Sequence, residues 1–86
     1  MLKILGTMQC KDCVACCEAF DREKIEYTFC DFRDDLAYLK EFLKYRDREP
    51  DFEQAKTDGG IGIPCIIRED GTITLDWESY VSQADA

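Results

Sequence analysis

The spacing of apolar residues changes several times along the chain, and each change marks an element. Lys3-Ile4-Leu5 opens a short apolar run that closes near Gly6-Thr7, the pattern of a buried first strand. From about Lys11 to Lys24 the spacing becomes helical. Cys10, Cys13, Val14, Cys17 and Phe20 gather on one side, with Lys11, Glu18 and Arg22 opposite. Ile25 to Phe32 alternates, Ile25, Tyr27, Phe29 and Asp31 on one face and Cys30 on the other, which predicts a second strand. Asp34 or Asp35 caps a second helix running to about Tyr45, with Leu36, Leu39, Phe42 and Leu43 as its apolar stripe. Arg46 to Gly60 is polar, broken by Pro50 and Gly59-Gly60, with Phe52 anchoring a helical turn around Asp51 to Lys56. Pro64 to Ile67 and Thr72 to Leu75 form a hairpin across Asp70-Gly71. Trp77 to Val81 begins a last helix, and the tail from Ser82 to Ala86 is expected to fray.

The order is β-α-β-α-β-β-α, an α/β domain whose strand–helix–strand opening predicts a parallel pair and whose hairpin adds an antiparallel edge. Eighty-six residues suit one domain, 1–86, with no internal repeat and no low-complexity segment. No apolar run approaches the length of a membrane span, and Met1 to Met8 are too short for a signal peptide and carry no cleavage pattern. The expectation is a cytoplasmic protein. A net charge of −8 disfavours nucleic acid and anionic membrane as partners, because both need positive charge on the protein. The chain has no histidine, which removes the commonest general base, the Cys–His dyad and any Cys/His zinc site.

Six cysteines change the picture more than charge does. Four of them crowd into Cys10, Cys13, Cys16 and Cys17, too close in sequence to staple long loops, so the cluster points to redox or metal chemistry. Cys10-Lys11-Asp12-Cys13 falls where the first strand passes into the first helix. A cysteine there faces unpaired backbone N–H groups and the positive end of the helix dipole, which favour thiolate over thiol, with Lys11 adding to the effect. Cys13, one turn on, is placed to resolve a mixed disulfide formed at Cys10. Cys17 and Cys30 read as core residues and Cys16 as the edge of the apolar face. Cys65 reads equally as a neighbour of the redox pair or as core.

Gly62-Ile63-Pro64-Cys65 is the second constellation, a proline after a flexible run and just before a strand. With the C-x-x-C after the first strand and the element order, it resembles the glutaredoxin branch of the thioredoxin superfamily over nearly the whole chain. The resemblance implies a thioredoxin-like, glutaredoxin-type fold, a mixed sheet of about four strands flanked by helices. It also implies a cis Ile63–Pro64 bond beside the redox pair, and a backbone at Ile63 that binds substrate as an added strand. The implied activity is thiol–disulfide oxidoreduction by a monomer, with Cys10 as nucleophile and Cys13 as resolving thiol. Lys11, Ile63, Pro64 and Cys65 would line the substrate, a disulfide-containing protein or a small thiol. No bound cofactor or metal is expected; glutathione is a candidate reductant. The chain departs from the family where Pro-Tyr commonly separates the cysteines, since Lys11-Asp12 stands there. It departs again at Thr7-Met8-Gln9, where a lysine is common, and at Leu75-Asp76-Trp77-Glu78, in place of a Gly-Gly turn. Glutathione and another thiol partner therefore remain alternatives. A separate alternative is a metal or iron–sulfur module using the C-x-x-C-x-x-C spacing of Cys10, Cys13 and Cys16.

Overall fold

A computed structural model describes residues 2–85; Met1 and Ala86, the outer ends of the leading segment and the tail, lie outside the described residues. The described chain is an α/β fold with a four-stranded mixed sheet and four helices. In chain order these are β1 (Leu2–Gly6), α1 (Lys11–Arg22), β2 (Tyr27–Asp31), α2 (Leu36–Arg48), a 3-10 turn (Pro50–Phe52), α3 (Glu53–Thr57), β3 (Cys65–Ile67), β4 (Ile73–Thr74) and α4 (Trp77–Asp85). The sheet order is β2-β1-β3-β4, with β1 and β2 parallel and the other two pairs antiparallel.

Alternation in the strands sorts the core into two layers. Leu2, Ile4, Phe29 and Ile66 point to one face, where Cys16, Cys17 and Phe20 of α1 and Trp77, Tyr80 and Val81 of α4 cover them. Leu5, Cys30, Cys65, Ile67 and Ile73 point to the other, under Phe42 of α2 and Phe52 of the 3-10 turn. Phe42 sits between Phe32 and Phe52, its ring 5.3 Å from one and 5.6 Å from the other. β1 is central and buried on both sides, which is why Lys3-Ile4-Leu5 reads as a run and not as an alternation.

Several boundaries differ from the expectations, each for a local reason. α1 ends at Arg22, two residues early, because Lys24 takes a left-handed conformation (φ 58°) and Ile25 N–H reaches back to the Phe20 carbonyl at 2.8 Å. β2 accordingly starts at Tyr27 instead of Ile25. α2 runs on to Arg48 because nothing stops it before Pro50, which holds Glu49 in extended backbone (φ −86°, ψ 130°). Asp35 is its cap, accepting the Ala37 N–H at 2.9 Å. The helical turn around Phe52 is present as the 3-10 turn and α3, and the Arg68–Thr72 pair closes the hairpin around Gly71 (φ 88°). α4 continues through the expected tail to Asp85. Among the described residues, no helix is long and apolar enough to cross a membrane.

Candidate functional site

β1 ends at Gly6, and four residues later Cys10 begins α1 as its N-cap, in extended backbone (φ −95°, ψ 127°). Between them the chain turns tightly, with Cys10 N–H on the Thr7 carbonyl at 3.1 Å and Val14 N–H on the Cys10 carbonyl at 3.1 Å. The Cys10 side chain makes no capping hydrogen bond. All six cysteines fall within the described residues, all are free thiols, and Cys10 alone is not buried. Cys13, one turn along, is completely buried, with Cys10 as its neighbour. Burial pushes the Cys13 thiol up to about 12, the neighbouring Cys10 and Cys17 add to that, and a backbone hydrogen bond from Thr7 opposes it. The pair thus consists of one accessible sulfur and one sheltered sulfur that keeps its proton.

Gly6 makes this approach possible. A Cβ there would lie 2.6 Å from Cys13 Sγ and 3.8 Å from Ile63 Cβ, so the glycine is where α1, β1 and the loop before β3 close on one another. The Ile63–Pro64 peptide bond is cis. Pro64 is buried and Ile63 half-buried against the α2 side of the core. The loop leading to them is held at two points. Arg46 of α2 donates from Nε to the Ile61 carbonyl at 2.8 Å and from Nη2 to that of Gly60 at 3.1 Å. Gly62 (φ 99°) lies so close over the Phe52 ring that a Cβ would approach it to 2.6 Å.

The structure therefore brings Cys10, Cys13 and Ile63 together at one end of the sheet. Lys11 is exposed beside Cys10 as the first residue of α1. Cys65 is in the right strand but its thiol is not at the site. Paired with Leu5, it points into the α2-side core with no exposure, and burial pushes it up to about 12, helped by Asp51, Glu41 and Glu49. Cys30 and Cys17 are core residues, as expected. Cys16, expected at the edge of the apolar face, is completely buried between α1 and the sheet, and burial pushes it up to about 12 as well. That position turns it away from Cys10, and among the described residues no three Cys, Asp or Glu side chains are grouped to hold a metal ion. The C-x-x-C-x-x-C spacing does not become a ligand set.

Asp31 is a site residue that the sequence reading placed on a strand face and nothing more. It is the one buried charged residue among the described residues, 6% exposed. Its Oδ2 accepts Met8 N–H at 3.2 Å and its Oδ1 accepts Arg33 N–H at 2.9 Å, with Arg33 Nε 3.7 Å away. Burial would raise this carboxyl, but the Arg33 and Met8 N–H groups, the Thr7 hydroxyl and the Arg33 charge together hold it below its ordinary value. A charged residue closing an apolar alternation was the available signal, and the parallel register that sets Asp31 opposite Gly6 gave it meaning. A broad, open depression of about 860 Å³, lined by Leu2, Lys24, Arg68 and Tyr80 among others, lies at the opposite end of the sheet, away from Cys10 and Cys13.

Fold and site together define a small α/β protein with a half-exposed and a buried thiol at the start of its first helix. The chain is 30% identical over 67 residues, 78% of each chain, to a protein of Haemophilus influenzae described as an uncharacterized protein. It belongs to the same family as that bacterial protein. No family model matches the chain, and no solved structure matches it.

Proposed function

We propose that this chain is a thiol–disulfide oxidoreductase of the glutaredoxin branch of the thioredoxin superfamily, working as a monomer in the cytoplasm. One observation carries the reading: an accessible thiol at a helix N-cap, with a fully buried thiol one turn further on. The element order, the sheet order β2-β1-β3-β4 and the Ile63–Pro64 loop against Gly6 support the same assignment.

In the proposed cycle the Cys10 thiolate attacks one sulfur of a substrate disulfide and expels the other as a thiolate, leaving a mixed disulfide at Cys10. Cys13 then gives up its proton to the expelled thiolate and attacks Cys10 Sγ. The substrate's second thiol departs. Two electrons pass from the pair to the substrate, and a Cys10–Cys13 disulfide remains for an external thiol, glutathione among the candidates, to reduce. The substrate is a disulfide-bearing protein or small thiol whose backbone pairs with Ile63 beside Pro64, with Lys11 at the mouth. Exposed Met8 and Ile61, on the two loops that meet at Gly6, offer apolar contact to such a partner. The Cys65 thiol is left to the core.

The test is equilibration in graded thiol–disulfide buffers, alkylation of free thiols and mapping of each cysteine by mass spectrometry. Cys10 and Cys13 should lose their thiols together in one two-electron step. Cys10→Ser should abolish turnover of a model disulfide, and Cys13→Ser should trap the mixed disulfide. Turnover surviving in Cys10→Ser, or a pair that stays reduced while other cysteines react, sinks the assignment.

A further inference from the structure

We infer that Arg46 is a positioning residue for an extended peptide substrate, holding the loop that presents the open backbone of Ile63 beside Cys10 and Cys13. The inference rests on the dithiol reading above and names the kind of disulfide the site is built to take.

The segment from α3 to Pro64 is stitched down residue by residue and then released at one. Gly59 (φ 77°) ends α3 in the left-handed region, its N–H on the Lys56 carbonyl at 3.2 Å and the Gly60 N–H on the Ala55 carbonyl at 2.7 Å. Those bonds leave the carbonyls of Gly60 and Ile61 for another partner. Arg46 of α2 takes both, with Nη2 on Gly60 at 3.1 Å and Nε on Ile61 at 2.8 Å. Neighbouring donors of one planar guanidinium on successive carbonyls fix the peptide between them, which the point charge of a lysine would not. Gly62 (φ 99°) then lies on the Phe52 ring, and the chain reaches Ile63.

Here the stitching stops. Among the described residues, no hydrogen bond reaches the Ile63 N–H or carbonyl. The residue is half-buried, and a Cβ on Gly6 would meet both Ile63 Cβ at 3.8 Å and Cys13 Sγ at 2.6 Å. An unpaired peptide beside the sulfurs is satisfied when an incoming backbone pairs with it. Gly59, Gly60 and Gly62 make the run before it the most permissive backbone of the chain. Among the described residues, Arg46 supplies the side-chain hydrogen bonds to that run, so it decides where the Ile63 peptide stands. A small disulfide that reaches only the Cys10 sulfur makes no use of this peptide. A disulfide on an extended peptide does, through the backbone groups on either side of its cysteine.

The experiment uses the reduced full chain and two probes that release the same coloured aromatic thiol. One is the symmetrical aromatic disulfide. In the other, the aromatic thiol is joined by a mixed disulfide to the cysteine of a short extended peptide, uncharged so that the guanidinium has no carboxylate to attract. The Cys10 thiolate bonds to the peptide sulfur and the aromatic thiolate leaves. Arg46→Met, which keeps the stem and suits the helix, should lower the rate constant for the peptide about tenfold, the effect of one lost backbone pairing. The small disulfide should stay within about twofold of wild type. Methylating the peptide nitrogens that flank the cysteine should cost the wild-type chain about tenfold and Arg46→Met no more than about twofold further, because both changes remove the same pairing. Arg46→Gln, which keeps one amide donor group, serves the same comparisons if Arg46→Met does not fold. An unchanged peptide rate in the folded variant, an equal loss on both probes, or losses from methylation and substitution that multiply, overturns the inference and leaves the dithiol reading standing. Coloured release at the wild-type rate from Cys10→Ser overturns both.

Discussion

Replacing Gly6 with alanine adds one methyl group at the junction of α1, β1 and the Ile63 loop, and the structure says what that methyl meets. Its carbon would lie 2.6 Å from Cys13 Sγ, about 1 Å inside normal contact, while Cys13 Cβ and Ile63 Cβ stay at an ordinary 3.8 Å. Two relaxations are open. The backbone can spread, which costs about 1–3 kcal/mol for an extra methyl in a packed interior. Alternatively the Cys13 sulfur can swing to another rotamer, away from the neighbouring Cys10 thiol. For a domain of this size the first route lowers the melting temperature by about 5–20 °C. The second spares stability and slows closure of the Cys10–Cys13 disulfide. Urea and thermal unfolding of Gly6→Ala, repeated in a Cys13→Ala background, separates the sulfur from every other neighbour. With the sulfur gone the remaining contacts are ordinary, so the cost of Gly6→Ala should fall to a few tenths of a kcal/mol. An equal cost in both backgrounds, together with an unaltered rate of disulfide closure in the single variant, would refute the argument.

Other consequences are as concrete. Asp31 has a folded-state value lowered below its unfolded one, so its contribution to stability is complete above about pH 4 and lost as pH falls through the folded value. Asp31→Asn should therefore be less stable than wild type in urea at pH 7, with the gap closing toward pH 2; a gap independent of pH would contradict the hydrogen-bond account. Phe52→Ala removes a fully buried ring that packs on Phe42 and supports Gly62. It should cost about 3–5 kcal/mol, a large share of the stability of a small domain, and expose the 60–62 loop to proteolysis before global unfolding. Lys24→Gly relieves a side chain in the left-handed region (φ 58°) and should raise stability by about 1 kcal/mol, read as a shift of the urea midpoint with unchanged slope.

The parts of this molecule that follow from short-range patterning were legible in the chain. Cys10 at the start of α1, the Asp35 cap and the hairpin around Gly71 each depend on residues a few positions apart. The alternation of β2 was legible too, including the face that Asp31 shares with Phe29. What stayed hidden depends on register across the sheet. Gly6 beside Asp31 is a pairing over 25 residues, and Leu5 beside Cys65 is one over 60. No local period states which of two faces β3 turns toward α2. That is why Cys65, read equally as a neighbour of Cys10 and Cys13 or as core, could not be assigned from the chain alone; its sulfur lies in the α2-side core layer. Gly6 carried no signal of its own, because a glycine ending a strand reads as a simple stop until a helix thiol is seen lying against it.

Five of the six sulfurs are sealed into the interior, and they are spread over α1, β2 and β3: Cys13, Cys16 and Cys17, then Cys30, then Cys65. Each becomes reactive only when the element that carries it opens, so a pulse of alkylating reagent followed by peptide mapping reads a separate opening free energy for the helix and for two strands. Cys30 reports from an edge of the sheet and Cys65 from an interior strand of it. Without any introduced label, the molecule carries its own gauges of which part loosens first.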